Sequence, residues 1–200
     1  MAKRNTDLQI LITATEAAIQ ARAADYPEAM ALASRIFSAL ETPVDANAAT
    51  APTRVEPCRH LDGAFAQARK GPGAIAALTD AFAKLEPAFA WHRRPETDRD
   101  PAGFQDNHAN AIIVGRGGLE EQGQALIGVS LLAPGIEYPR HNHPPEELYI
   151  VLSPGKWMQN DAPLTPKRSG DLIHNAPNTW HAMQAMNAPL LAIWCLWLGA

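Results

Sequence analysis

The sequence is poor in cysteine, which excludes a fold that depends on disulfides. Only two cysteines, Cys58 and Cys195, occur among the 200 residues, and two are too few for a disulfide framework. Cys195 lies in an apolar run, where a cysteine is usually a small hydrophobic side chain. A reducing compartment fits this composition, and we therefore expect a cytoplasmic protein.

Long apolar runs and an excess of basic residues are also missing. No run of about 18 apolar residues occurs, so no transmembrane helix is expected, and the first residues carry no clear signal-peptide pattern. The 17 Lys and Arg residues are scattered and the formal net charge is -4. Because this leaves no basic patch for nucleic acid or an anionic membrane, we expect a small-molecule partner instead.

The first half of the chain has the apolar periodicity of helices. Helices are predicted in residues 6–40 with a break at Tyr26-Pro27, in 58–69 and in 74–89. Thr6 or Asp7 is expected to cap the first helix, and Pro27 suits the first turn of the next. The proline-containing segment 41–56 has no period and is predicted to be a loop.

The second half has the pattern of short β-strands separated by turns. Strands are predicted at 111–115, 124–132, 147–152, 156–159, 170–174, 180–185 and 190–198. The last strand is apolar on both faces, so the helices should cover it or form a subunit contact, as in a homodimer. We predict an α+β fold that is mainly β, with a helical region 1–107 packed on a β-barrel 108–200.

Metal-binding side chains are concentrated in residues 135–149. Alternate residues of a strand share one face, so His141 and His143 can reach a single ion. Glu147 follows them, and His181 from a distant strand is the best candidate for a further ligand. Imidazole and carboxylate together suit one divalent transition metal, whether iron, zinc, manganese or nickel. His141 has a second interpretation, as a group that supports a ligand or faces the substrate.

Tyr149 should share its strand face with Glu147, because side chains alternate along a strand. The opposite face then carries apolar core residues, namely Leu148, Ile150 and Leu152. A free tyrosine has a pKa near 10, but a neighbouring dication favours the phenolate. Tyr149 is therefore a candidate general base; the alternative is a tyrosine packed against the barrel wall with its hydroxyl bonded to a neighbour.

The spacing of the histidines and the glutamate resembles the cupin family. In the first cupin motif a glycine, five residues, His-x-His and three or four residues precede a glutamate, as they do from Gly135 through His141 and His143 to Glu147. The closing glycine, Gly155, falls one residue late. The second motif is matched loosely by Gly170, Pro177, His181 and Asn187. The resemblance implies a C-terminal double-stranded β-helix, or jelly-roll, barrel with the metal inside it.

The sequence is similar, more specifically, to the cupin-type dimethylsulfoniopropionate lyases of the Q type. The similarity rests on the run from His143 to Tyr149, on Tyr138, on His181 and on the helical half before the barrel. That family cleaves dimethylsulfoniopropionate to dimethyl sulfide and acrylate. The resemblance implies that His143, Glu147 and His181 hold the metal, that Tyr149 lies at or next to it, and that Tyr138 lines the pocket.

This chemistry agrees with the residues. β-Elimination needs a base to remove the proton next to a carboxylate, and binding that carboxylate to a dication stabilises the charge that develops. Tyr149 would be the base. The sulfonium group is a soft cation that aromatic faces accommodate. The candidate substrate contacts are Tyr138, Trp180, Trp194 and Trp197.

Two other classes of function stay open at this point, because a fold alone does not choose a reaction. Another metal-dependent cupin, a dioxygenase or an isomerase, would use the ion for oxygen or a sugar, and Tyr149 would be incidental. A non-catalytic cupin would bind or sense a small ligand. Oxygen consumption would identify the dioxygenase, and recovery of an unchanged ligand would identify the binder.

Overall fold

The computed structural model describes residues 3–44, 51–98 and 100–199, and these ranges contain five α-helices and nine β-strands. The helices are α1 (Thr6–Gln20), α2 (Pro27–Ala39), α3 (Leu61–Ala68), α4 (Gly73–Leu85) and α5 (Phe104–Asn107). The strands are β1 (His108–Val114), β2 (Ala125–Leu132), β3 (Glu137–His141), β4 (Glu146–Val151), β5 (Gly155–Gln159), β6 (Thr165–Lys167), β7 (Leu172–Asn175), β8 (His181–Ala185) and β9 (Leu190–Trp197). Short 3₁₀ turns, Glu56–His60 and Glu86–Ala88, lie before α3 and after α4.

Helices α1 to α4 occupy the predicted segments, with one correction at the start of α1, whereas the short helix α5 was not predicted. The predicted caps Thr6 and Asp7 are wrong, because Asn5 caps this helix. Its Oδ1 accepts from the backbone N–H groups of Asp7 and Leu8 at 2.8 and 3.2 Å, which satisfies two donors that a helix start leaves free. Pro27 begins α2 as expected. Within the predicted loop 41–56, residues 45–50 lie outside the described ranges.

The strands form two antiparallel sheets. One has the order β1-β2-β9-β4-β7 and the other the order β3-β8-β5-β6. Sequence reasoning missed β3 and β6, the two edge strands of the smaller sheet. Each contains a proline, Pro139 or Pro166, and proline is tolerated at a sheet edge because no ladder hydrogen bond is lost there. The same proline weakens the strand pattern on which prediction depends.

Two apolar clusters lie on opposite faces of the five-stranded sheet. Tyr149 and Val151 belong to the inner cluster, which fills the space between the sheets. Leu148 and Ile150 belong to the outer cluster, which they share with the helices. The predicted alternation along β4 is therefore confirmed, as is the mainly β character of the fold.

The helices cover the outer face of the large sheet. Along β9 the residues Leu191, Ile193 and Cys195 are buried in the cluster shared with the helices, whereas Leu190 and Ala192 point between the sheets. This is the cover expected for a strand that is apolar on both faces. The boundary at residue 107 between a helical region and a barrel stays a prediction. Within the described ranges, no helix combines the length and hydrophobicity needed to cross a membrane.

We predict that α2 stabilises the sheet mainly through its buried face. Ile36 on α2 has 0% exposure, whereas Ile10 on α1 is 47% exposed. Ile36→Ala should lower the free energy of unfolding by about 2 to 5 kcal/mol, because it opens a cavity against the sheet. The same change at Ile10 should cost less than about 0.5 kcal/mol. Urea unfolding measures both, and similar small losses for the two variants would contradict this packing.

Candidate metal centre

The candidate ligands come from strands of both sheets and from one connecting turn. His141 ends β3 and lies opposite His181, the first residue of β8. Glu147 lies on β4, and His143 lies in the turn between β3 and β4. The expectation that one strand presents His141 and His143 together is therefore wrong, because β3 ends at His141. The backbone N–H of Asn178 donates to the carbonyl of His143 at 2.9 Å and holds this turn beside the start of β8.

The four predicted ligands converge in space. One ring nitrogen from each of His141, His143 and His181 lies within 4.8 Å of those from the other two. The Oε2 atom of Glu147 is 3.4 Å from Nε2 of His143 and 3.2 Å from Nε2 of His181. Glu147 and His181 are each only 2% exposed. The structure thus gathers residues that are up to 40 positions apart in the sequence into one cluster, in which Glu147 and His181 are buried and His141 and His143 are half-buried.

All three histidines have the same tautomer. The Nδ1 atom of each ring is 2.9 Å from a main-chain carbonyl oxygen. These carbonyls belong to Pro139, Pro145 and Thr179, for His141, His143 and His181 in turn. A carbonyl only accepts, so Nδ1 carries the hydrogen and the neutral ring keeps its electron pair on Nε2. Such bonds commonly orient histidines that bind a metal.

This donor set fits a divalent metal. The buried Nε2 atom of His181 has no hydrogen-bond partner among the described residues, although the Glu147 carboxylate is close to it. Electron pairs on imidazole nitrogens and on a carboxylate repel one another unless a cation lies between them. Neutral imidazoles and a carboxylate are the protonation states that a metal requires, and nitrogen and oxygen ligands suit a transition ion.

The ionisation of the cluster follows from burial and from Glu147. Burial, aided by repulsion from His181 when that ring is protonated, lowers the pKa of His141 to about 4. Burial also lowers the pKa of His181. When the His143 ring is protonated, its Nε2 donates to the Glu147 carboxylate, and this bond raises the pKa of His143. Burial alone would raise the pKa of Glu147, but His143, His181 and a hydrogen bond from Asn175 outweigh it and hold that pKa below its usual value. The carboxylate is therefore charged at neutral pH.

Tyr149 lies beside this cluster, on the inner face of β4, and is 3% exposed. Its ring centre is 6.1 Å from that of His181. Burial, and then the charge of Glu147, raise the pKa of Tyr149 well above its usual value. The lowered pKa expected from the sequence is thus not a property of the protein groups alone, and it would require a bound cation.

A cavity of about 190 Å³ opens on the cluster. It is lined by Asn110, Ser130, Tyr138, His141, His143, Glu147, Tyr149, Trp194 and Leu196. Of the predicted substrate contacts, Tyr138 and Trp194 are in this wall. The Trp194 indole N–H donates to Ser130 Oγ at 3.1 Å. The ring lies so close to Gly128 that a Cβ there would be 2.1 Å from it. Only glycine leaves room for this indole.

The other two predicted tryptophan contacts lie elsewhere. Trp180 lines an outer pocket of about 460 Å³ together with Tyr138 and Arg140, and the Arg140 guanidinium is 4.9 Å from its ring centre. Trp197 does not line either pocket, and Arg35 of α2 lies 5.7 Å from its ring centre. The expectation for Trp197 is therefore wrong. Because it is three residues from Trp194 on one strand, it must point to the opposite face.

Sequence reasoning missed several polar residues at the site. Asn110 escaped because the first strand was predicted to begin at residue 111, whereas β1 begins at His108. Ser130 lies in a strand that is otherwise apolar, and such a serine has no motif of its own. Asn175 lies directly opposite Glu147 in the pairing of β4 with β7. That relation depends on the register of two strands, which no local pattern reveals.

Two facing antiparallel sheets that enclose three histidines and a glutamate define this chain as a cupin. Within that class, the chain belongs to the dimethylsulfoniopropionate lyase family, whose model matches residues 29–192. The helical segments from α2 onwards are therefore part of the family pattern as well as the barrel.

Individual proteins that are similar to this chain are also named dimethylsulfoniopropionate lyases. The dimethylsulfoniopropionate lyase DddQ of Ruegeria pomeroyi is 28% identical over 127 residues, which are 63% of this chain and 63% of that protein, less than two thirds of its length. The crystal structure of DddQ from Ruegeria pomeroyi DSS-3 has a TM-score of 0.64 at 24% identity over 90% of this chain and 91% of that one. A chain from the crystal structures of the dimethylsulfoniopropionate lyases RdDddP and RnDddQII has a TM-score of 0.70 at 23% identity. The match covers 96% of this chain and 92% of that one. At these identities the structural matches establish the shared fold.

We predict that His143→Ala, Glu147→Ala and His181→Ala each remove most of a bound divalent metal from the purified protein. Each change leaves an incomplete set of ligands, and metal affinity depends on all of them. His141→Ala should lose less, in keeping with its second interpretation as a supporting residue. Elemental analysis gives the number of ions per chain.

The matched control for these variants is His92→Ala. His92 is exposed, its ring nitrogen Nδ1 lies near the carbonyl of Ala90, and it is outside the group of three histidines. This variant should keep the metal content of the wild type. Full occupancy in the three ligand variants would show that the ion, if present, is bound elsewhere.

Proposed function

We propose that this protein is a metal-dependent lyase that cleaves dimethylsulfoniopropionate by β-elimination to dimethyl sulfide and acrylate. One observation carries the proposal. A buried tyrosine, Tyr149, shares a small cavity with His141, His143 and Glu147, so a base and a metal site can act on one substrate. Membership of the lyase family supports the choice of substrate.

The metal ligands that we propose are His141, His143, Glu147 and His181. A divalent cation held there would act as a Lewis acid toward the substrate carboxylate and favour loss of the neighbouring proton. Iron, zinc, manganese and nickel all accept this set of nitrogen and oxygen donors. Glu147 supplies a negative charge at the site, and both Glu147 and His181 are buried from solvent.

Tyr149 is the base in this proposal. Its phenolate oxygen takes the proton from the carbon next to the carboxylate. The electron pair left on that carbon forms the double bond of acrylate. The carbon–sulfur bond breaks and its electron pair leaves with sulfur, which turns the sulfonium cation into neutral dimethyl sulfide. The nearby Glu147 charge opposes formation of the phenolate, so the base depends on a cation in the site.

Trp194 is the aromatic face that we propose for the sulfonium group, with Tyr138 beside it. Both side chains line the inner cavity. Trp180 is less suited to this role, because the Arg140 guanidinium already lies against its ring and two cations repel each other. Trp180 and Arg140 are at the outer pocket instead, where they form the approach to the site.

A reducing, cytoplasmic location is part of the proposal. Cys58 and Cys195 are both buried and unpaired, and burial raises the pKa of the Cys195 thiol to about 12, so it stays an unreactive thiol. A homodimer stays a prediction.

We expect purified protein supplied with dimethylsulfoniopropionate to release dimethyl sulfide and acrylate in equal amounts, and Tyr149→Phe to lose nearly all of this turnover. Phenylalanine keeps the ring and its packing, so only the ionisable oxygen is lost. A positioned base contributes about 10²- to 10⁴-fold to the rate. Gas chromatography of the headspace measures dimethyl sulfide, and elemental analysis should find the metal retained.

Tyr26→Phe is the matched control, since Tyr26 lies at the start of α2 beside Arg22. It should leave turnover unchanged. If Tyr149→Phe keeps more than about a tenth of the activity, against the expected loss, the base is another group. Oxygen uptake without dimethyl sulfide would instead identify an oxygenase, and recovery of intact substrate would identify a binding protein.

Trp194→Leu should raise KM for dimethylsulfoniopropionate by about 2- to 30-fold, the range that corresponds to loss of one cation–π contact. Trp197→Leu is the control, because this ring lies on the opposite face of the same strand, beside Arg35. It should lower stability but leave KM unchanged. Steady-state kinetics compare the two variants, and an equal rise in KM for both would contradict the assignment of Trp194.

A further inference from the structure

A chain of side-chain amides ends on Glu147. Asn175, on β7, lies opposite Glu147 on β4, and its Nδ2 donates to Glu147 Oε2 at 2.8 Å. Gln159, on β5, donates from Nε2 to Asn175 Oδ1 at 2.7 Å and to the carbonyl oxygen of His174 at 2.6 Å. Asn175 is 1% exposed, so its bond to Glu147 is shielded from water, whereas Gln159 is half-buried. The amides therefore connect the carboxylate to the main chain of β7.

The direction of every bond in this chain is fixed. The His174 carbonyl can only accept, so the Gln159 group facing it must be the amide nitrogen. The same nitrogen faces Asn175, which must present its oxygen to Gln159. The Asn175 nitrogen is then turned toward Glu147. A rotated Asn175 amide would put two nitrogen donors face to face and an oxygen against a carboxylate, and both arrangements are repulsive.

This chain also joins the two sheets at the site. Gln159 belongs to the four-stranded sheet, where it lies opposite His181 on β8. Asn175 and Glu147 belong to the five-stranded sheet. Between the sheets a carboxylate ligand must keep a set distance from the histidines, and a single-bonded side chain has several rotamers. Amide bonds that cross from one sheet to the other remove that freedom.

We propose that Asn175 and Gln159 are positioning residues that hold the Glu147 carboxylate at the distance from His143 and His181 that metal binding requires. The inference rests on the proposed metal site, and it does not depend on which substrate the protein uses. Neither residue touches the ion. Partners of this kind typically contribute about 10- to 100-fold to metal affinity.

The test is a Zn²⁺ titration of the metal-free, full-length protein without substrate, against a coloured competing chelator. Asn175→Leu should weaken Zn²⁺ binding by about 10- to 100-fold. Gln159→Leu, which leaves the bond to Glu147 chemically intact but frees the Asn175 amide, should weaken it by about 10-fold. Because the two residues act along one route, the double variant should bind no more weakly than Asn175→Leu alone.

Gln184→Leu is the matched control, since it makes the same amide-to-alkyl change on β8. Gln184 is three positions after His181, so its side chain lies on the other face of that strand, and its strand partner is Lys156. Its Zn²⁺ affinity should equal that of the wild type. Urea unfolding of each metal-free variant measures stability separately. If Asn175→Leu does not fold, Gln159→Leu still tests the proposal, because it removes no contact with Glu147.

Affinities of Asn175→Leu and Gln159→Leu within about threefold of the wild type would overturn the proposal, since the expected loss is at least about tenfold. If the losses of Zn²⁺ affinity in the two single variants multiply in the double variant, the proposal would also be overturned, because the two residues would then act independently. If His143→Ala also keeps wild-type affinity, the metal site itself is wrong. Failure of the site and failure of the positioning role therefore give different results.

Discussion

The site depends on the close approach of three imidazole rings and one carboxylate, whose electron pairs repel one another. Three imidazole Nε2 atoms and a carboxylate oxygen approach one another in the site, and Glu147 lies 3.2 Å from His181 and 3.4 Å from His143. Three main-chain carbonyls accept from the histidine Nδ1 atoms, and the Asn175 amide, itself bonded to Gln159, donates to the carboxylate. A metal ion or a proton between these atoms relieves the repulsion of their electron pairs, and the fold brings the atoms together before an ion binds.

The architecture supplies the rigidity that this arrangement needs. The candidate ligands come from both sheets, and helices cover the outer face of the large sheet. The same alternation along β4 that directs Glu147 and Tyr149 inward directs Leu148 and Ile150 into the helical layer. A helix substitution that disturbs the outer layer would therefore reach the site through the strand that both layers share. The helical half of the chain therefore affects the candidate site through β4.

Local pattern was enough to predict the candidate ligands and the mainly β fold, because the histidine spacing and the alternation along β4 are properties of neighbouring residues. Local pattern could not predict which residues face each other on paired strands. Asn175 reaches Glu147 only through the register of β4 and β7, and β3 was hidden by Pro139 at a sheet edge. Trp197 was assigned to the cavity although strand parity alone separates it from Trp194. Its packing with α2 became visible only when the helices were placed.

We propose that a metal at this cluster enables cleavage of dimethylsulfoniopropionate. Titrating the metal-free protein with a divalent cation, while measuring dimethyl sulfide release at each step, tests it most directly. We expect no release without the ion, a linear rise with added ion, and a plateau at one ion per chain. Full release from the metal-free protein, or none from the saturated protein, would contradict it.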